Sequence, residues 1–232
     1  MEPTIYKPSI YKGAGIYKAG TRGGGGGGGI PPEVPAEYLQ GYAVDNPNGL
    51  GDTNGLIEIS VNSVTSADYV EVNLYPIHHN NNGIGVRFVE KNTSNAAFEM
   101  YNKYNYDPGV MLSKVEGSAM SSRLFVNKQA QSDSVIFRLN APTASVNNGS
   151  GIKKDGKVLT TIDIDKILIF WSPDQYRGAV GKIEVWDSDH ITNKIMLIPA
   201  KEKESGHVGF YDKVSGNFYY STRTDTLVLV EF

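Results

Sequence analysis

Carboxylates at alternate positions give the stretch that most invites a catalytic reading. In "TIDIDK", Thr161, Asp163 and Asp165 stand two residues apart, so on a strand all three side chains project from one face. Retaining glycoside hydrolysis uses two carboxyl groups about 5–5.5 Å apart. Asp163 and Asp165 would lie roughly 6.6 Å apart at Cα, which does not exclude such chemistry. A polar strand face opposite Ile162 and Ile164 accounts for the same residues, and no catalytic residue is expected. "WDSDH", Trp186 to His190, offers Asp187 and Asp189 as oxygen ligands for calcium, beside His190. It lacks the ligand spacing and glycine of a calcium loop, and Asp and Ser build turns through local hydrogen bonds, so a turn is expected there. His78 and His79 in "HHNNNG" would need a distant partner to hold zinc, and an exposed loop is the expectation. "RGGGGGGG" lacks the Lys-Ser/Thr ending and the strand-to-helix setting of a phosphate loop. No metal or other cofactor is expected.

Sugar binding has a more specific candidate. Trp171 and Tyr176 flank "SPDQ" and could form an aromatic platform, with Asp174 and Gln175 as hydrogen-bond partners. The competing reading ends a buried strand at Trp171 and packs it in the core, as is expected of Trp186.

These residues need elements to position them, and from Tyr38 onward the pattern is strand after strand. "GLIEISVNSV" alternates through Ile57, Ile59 and Val61, and "DYVEVNLYPI" through Val70, Val72 and Leu74. "GIGVRFVEK", "SRLFVN", "SVIFRLN", "KVLTTIDIDKILIFW", "GKIEVWD", "KIMLIPAK", "HVGFYDK", "NFYYS" and "TLVLVEF" follow, divided by turn residues in "HNNNG", "NNGSG", "SPDQ" and "VSGN". "TSNAAFEMYNKY" is the best short helix candidate. About ten short strands with regular turns imply an all-β, antiparallel sandwich or barrel.

The N-terminal segment reads differently. "IYK" recurs at Ile5-Tyr6-Lys7, Ile10-Tyr11-Lys12 and Ile16-Tyr17-Lys18, at spacings that fit neither a helix face nor strand alternation. Gly23 to Gly29 and a stretch with Pro31, Pro32 and Pro35 follow. Seven glycines have an r.m.s. span of about 15 Å as a coil and roughly 25 Å extended. The division expected is an anchoring arm over 1–22, a Gly/Pro linker over 23–36 and a sandwich over 37–232. In the arm, Ile and Tyr are the anchors and Lys meets acidic partner surfaces.

Bulk numbers set the limits. The chain has 232 residues, a net charge of −3 and no cysteine, so no disulfide scaffold or thiolate metal site exists. Lys7, Lys12, Lys18 and Arg22 against Glu2 make residues 1–30 net +3, leaving −6 on the remainder. Four cations form no dense basic stripe, so nucleic acid is not an expected partner. No apolar run approaches the roughly 20 residues that span a bilayer, and "MEPTIYKPSIYK" lacks the apolar core of a secretory signal.

The C-terminal residues carry a resemblance. Trp186-Asp187, "IPAK" at Ile198 to Lys201, "VGFYD" at Val208 to Asp212, Ser215-Gly216 and Phe218-Tyr219 resemble the closing segment of a concanavalin-like, laminin-G-like jelly-roll domain. That domain recurs in structural proteins of tailed bacteriophages and gut-bacterial prophages. The match is specific over about 45 residues and architectural before them. The added "TDTLVLVEF" and the Ile-Tyr-Lys arm depart from it. The resemblance implies an antiparallel jelly-roll β-sandwich on a virion protein, a capsid-anchored head fibre or decoration subunit on the capsid surface or tail, assembled in the host cytoplasm. It further implies a homotrimer, with a host-surface glycan as a further partner. Glucanases with a similar jelly roll carry Glu-x-Asp-x-Glu on one strand. Here Thr161 holds the nucleophile position and the shorter Asp165 the acid/base position. The alternatives are a carbohydrate-binding adhesin or tail receptor-binding protein and, more weakly, a degenerate glycan hydrolase.

Overall fold

The computed structural model describes residues 33–47, 56–75, 83–94, 96–102, 110–113, 122–125, 135–140, 143–146, 152–153, 161–171, 178–222 and 227–231. All belong to the second of two units, Pro31–Phe232. The anchoring residues Ile5, Tyr6, Lys7, Ile10, Tyr11, Lys12, Ile16, Tyr17 and Lys18 lie outside them, as do Gly23 to Gly29.

Period-two patterning becomes strands wherever one face can be buried. The first are β1 (Tyr38–Gln40), β2 (Ala43–Asp45), β3 (Ile57–Thr65), β4 (Tyr69–Tyr75), β5 (Gly83–Glu90) and β6 (Ala96–Asn102). Short strands follow as β7 (Val110–Ser113), β8 (Ser122–Phe125), β9 (Val135–Asn140), β10 (Thr143–Val146) and β11 (Ile152–Lys153). The C-terminal part adds β12 (Asp163–Ile169), β13 (Ala179–Trp186), β14 (Asn193–Glu202), β15 (Val208–Asp212), β16 (Phe218–Tyr220) and β17 (Val228–Val230). In β3, Ile57, Ile59 and Val61 are buried while Glu58, Ser60 and Asn62 are exposed. In β4, Val70, Val72 and Leu74 are buried and the residues between them half-buried.

Two antiparallel sheets result. The larger runs β11-β10-β9-β4-β13-β14-β15-β16, with β1 beside β14, β2 beside β13 and β17 beside β2; the smaller runs β3-β12-β5-β6-β7-β8. Links from β3 to β4, β4 to β5 and β12 to β13 carry the chain between sheets, giving an all-β antiparallel jelly-roll sandwich. Its core joins Ile57, Phe88, Ile167 and Ile169 of the smaller sheet to Val72, Ile183, Leu197 and Phe210 of the larger, all fully buried. At one edge Lys194 Nζ meets Asp68 Oδ2 at 2.7 Å and donates to the Ser63 carbonyl at 2.6 Å. That bond ties β14 to the β3–β4 turn.

Three expectations change. The helix candidate at 93–104 contains strand β6, whose Phe98 is in register with Phe88 of β5; pairing on both sides outweighs a weak local helix preference. The described residues hold seventeen strands rather than about ten, because short segments such as β1, β2, β10 and β11 complete the larger sheet. Trp186 is half-buried and outside the core, because Val185 and Ile183 take the inward positions of β13. The final "TLVLVEF" does supply a strand, β17, with Leu229 opposite Val44.

Candidate functional site

Of the sequence-predicted sugar site, Trp171 is described, and Asp174, Gln175 and Tyr176 lie outside the described residues. Phe170 adopts φ 60° and turns into the core. Trp171 is half-buried outside that core, with the Arg87 guanidinium 3.9 Å from its ring centroid. A cation over an aromatic face is attractive in itself, so that face of the platform is already occupied. Arg87 also donates to the Ser94 carbonyl at 3.1 Å.

The strand that carries "TIDIDK" is irregular. The register shifts between Ile164 and Lys166 on both sides: against β5, Asp165 is the inserted residue, whereas against β3 it faces the three residues Val61 to Ser63. Its Oδ2 accepts the Asn92 amide at 3.2 Å, in the turn where Asn92 has φ 60°. Thr161 and Asp163 are exposed. An extra residue in a strand re-aims side chains, so strict alternation does not hold here. Asp165 steadies the turn after β5.

"WDSDH" forms the β13–β14 turn. Asp187 Oδ1 accepts the Ile191 amide at 2.7 Å and Oδ2 the Thr192 amide at 3.0 Å, while its carbonyl accepts the His190 amide at 2.9 Å. The Ile191 amide, followed by Thr192, holds the Asp187 carboxyl below the usual aspartate range. His190, at φ 57°, stacks on Tyr69 at 3.9 Å and meets Trp186 edge-on at 4.9 Å. Asp189 is exposed. His78 and His79 lie outside the described residues.

Two features were not singled out from the sequence. The first is a clamp on residues 36–41, where the chain enters the sandwich. β1 pairs with the end of β14, Tyr38 opposite Glu202 and Gln40 opposite Ala200. The Lys203 amide donates to the Glu37 carbonyl at 2.9 Å, Lys203 Nζ to the Ala36 carbonyl at 2.5 Å, and the Gly41 amide to the Pro199 carbonyl at 3.0 Å. The Tyr38 ring packs at 5.1 Å from Tyr211 and 4.9 Å from Phe218, joining three strands. Burial, then Glu202, pushes the Tyr38 hydroxyl up from its ordinary pKa. A Cβ on Gly41 would stand 2.5 Å from the Val230 carbonyl oxygen, so only glycine fits where β1 turns into β2.

The second feature is the face of β4 and β13 turned away from the core. It carries Tyr69, Glu71, Asn73 and Tyr75 on β4, and Lys182, Glu184 and Trp186 on β13. The register sets Trp186 against Tyr69 and Glu184 against Glu71. Tyr75 lies over Gly181, where a Cβ would come within 2.8 Å of its ring, and meets Tyr42 edge-on at 5.5 Å. Glu184 pairs with Lys182 at 2.7 Å and is 8 % exposed although it faces away from the core. Asn73 Oδ1 is shielded and has no hydrogen-bond partner among the described residues. The alternation in "YVEVNLY" was the available signal, since it sets both tyrosines, Glu71 and Asn73 on one face.

No family model and no curated protein matches the chain. Among solved structures it is similar to the native heptameric SAP-like pentraxin from Limulus polyphemus, at 16% identity and a TM-score of 0.47, covering 64% of this chain and 76% of that chain. A likeness at that level carries no argument about family or activity. The sandwich stands on its own strand pairing: two antiparallel sheets closed over one core, with a clamped entry strand and an aromatic-rich outer face.

Proposed function

We propose that the chain is an attachment-and-display protein of a tailed-bacteriophage virion, a capsid-anchored head fibre or decoration subunit acting without enzymatic chemistry. Residues 1–22 dock it, residues 23–36 link, and the sandwich is displayed as one of three copies. The clamp on residues 36–41 carries this reading. A linker that only ended a disordered tail would need no pairing, carbonyl capture and ring packing at its junction with the domain. A tether must hand its load to a rigid body, and β14 is a core strand of the larger sheet. On the arm, each large apolar side chain buried on a partner gains roughly 1.5–3 kcal/mol, against a backbone ordering cost of about 1–2 kcal/mol per residue. Three closely spaced Ile-Tyr pairs offset that cost better than one.

Deleting residues 1–22 tests the proposal. The sandwich is expected to fold unchanged and to vanish from purified particles. Normal incorporation of the shortened chain refutes the docking role.

A second reading, a carbohydrate-binding adhesin or receptor-binding module, is favoured by the outward tyrosines and Trp186 of the larger sheet. It is compatible with display and is tested by wild-type binding on a glycan array. Absence of all binding there removes it.

A further inference from the structure

Among the described residues, six strands pair on one side only: β1, β11, β16 and β17 in the larger sheet, β3 and β8 in the smaller. An open edge strand is a template for another chain, and charged side chains are a common protection. Charges stand in or beside five of the six: Glu37 before β1, Glu58 in β3, Arg123 in β8, Lys153 in β11 and Glu231 after β17. β16, Phe218-Tyr219-Tyr220, has none. Asn217 and Ser221 flank it, and its pairing with β15 runs without a register shift. The Asp212 amide donates to the Asn217 carbonyl at 2.8 Å. Alternation along an antiparallel ladder then directs the backbone groups of Tyr219 at β15. Those of Phe218 and Tyr220 point away from it, and no described group takes them.

We propose that β16 is the edge through which two copies of this chain join, strand against strand. A two-fold antiparallel pairing centred on Tyr219 sets Phe218 opposite Tyr220 of the second copy. Each copy brings two N–H and two C=O groups, so about four hydrogen bonds close. Two-fold symmetry sets the same patch against itself, and like charges facing across a strand pair are destabilising. An uncharged strand meets no such repulsion, which suits it to a second copy of itself. The Tyr219 ring packs inward on the core, while Phe218 and Tyr220 face outward with centroids 5.8 Å apart. Tyr220 is 37 % exposed and stacks on His207 at 4.2 Å, and aromatic pairs across strands add to the pairing. Three residues make a small contact against the roughly 1,200–2,000 Å² of a stable interface. The contact is therefore weak in free solution and is favoured where many copies share one surface, through effective concentration. It needs neither the arm nor a particle, so it stands apart from the display reading. On a particle of the proposed kind it joins sandwiches of neighbouring trimers.

Sedimentation and amide hydrogen exchange of the full chain, from about 1 μM to about 1 mM, test the pairing. The average mass is expected to double across the series, while exchange at Phe218 and Tyr220 slows roughly tenfold and exchange at Val72 stays unchanged. Tyr220→Lys adds the kind of charge the other edges carry and is expected to hold the mass at its low-concentration value. Tyr220→Phe keeps the ring and is expected to double as wild type does. The wild-type series decides alone if Tyr220→Lys lowers the unfolding midpoint. A constant mass overturns the pairing, and protected Phe218 and Tyr220 amides in such a chain show that another segment holds the edge. Doubling that persists in Tyr220→Lys while both amides exchange freely puts the contact elsewhere and also overturns it. A threefold rise that Tyr220→Lys abolishes overturns the two-fold geometry.

Discussion

Replacing Tyr38 by alanine isolates the clamp from the rest of the fold. The ring makes two tilted contacts, at 5.1 Å to Tyr211 and 4.9 Å to Phe218. Each is worth roughly 0.5–1.5 kcal/mol beyond burial. Tyr38 is half-buried, so its area contributes about half of the 1.5–3 kcal/mol of a fully buried large side chain. Together these give roughly 2–4 kcal/mol. The loss falls on β1 alone, because Phe88, Ile183, Leu197 and Phe210 keep their contacts, so it promotes local opening more than global unfolding. Native-state hydrogen exchange at Lys203, whose amide donates to the Glu37 carbonyl, reports that opening. Exchange there and at Gly41 is expected to rise roughly 30-fold to nearly 1,000-fold, while the paired β4–β13 amides of Val72 and Ile183 stay protected. Tyr38→Phe keeps both ring contacts and is expected to behave as wild type. Unchanged exchange at Lys203 refutes the clamp. An equal rise at Val72 and Ile183 refutes its independence from the core.

Three further outcomes follow from the same structure. Lys194→Met leaves Asp68, 4 % exposed, without its ammonium partner, and chemical denaturation is expected to show a loss of about 2–3 kcal/mol, because Lys194 is partly exposed and screened. The Asp187 pKa is lowered in the folded state, so its contribution is fully present above the unfolded aspartate pKa and is lost as pH falls through the folded one. NMR of the Ile191 and Thr192 amides should therefore titrate with a midpoint below the ordinary value of 3.8, and Asp187→Asn should abolish that transition. Gly181→Ala places a Cβ 2.8 Å from the Tyr75 ring, which must shift; thermal unfolding is expected to show a cost of about 1–3 kcal/mol.

The fold was legible where one physical signal dominated. In β3 and β4 the apolar residues alternate, and Ile57, Ile59, Val70 and Val72 are buried. Legibility failed where long-range pairing decides. β6 looks helical by itself and becomes a strand because β5 and β7 flank it. The register shifts around Asp165 depend on two neighbours, β3 and β5, and alternation in "TIDIDK" alone does not contain them. Trp186 belongs to the outer face because its parity follows Ile183 and Val185, whereas a lone Trp in an apolar strand invites a core assignment. The clamp joins Tyr38 to Tyr211 and Phe218 across more than 170 positions of sequence. The turn at Asp187 was the most readable site element, since an Asp at a strand end caps amides only a few residues away.

Display from a particle through the N-terminal arm is the central claim, and an electron cryo-microscopy map of purified phage particles carrying this chain tests it most directly. The account predicts density of the sandwich's size outside the capsid shell, grouped in threes and joined to the shell by a thin connection. Sandwich density inside the shell, or none on particles that contain the chain, contradicts it.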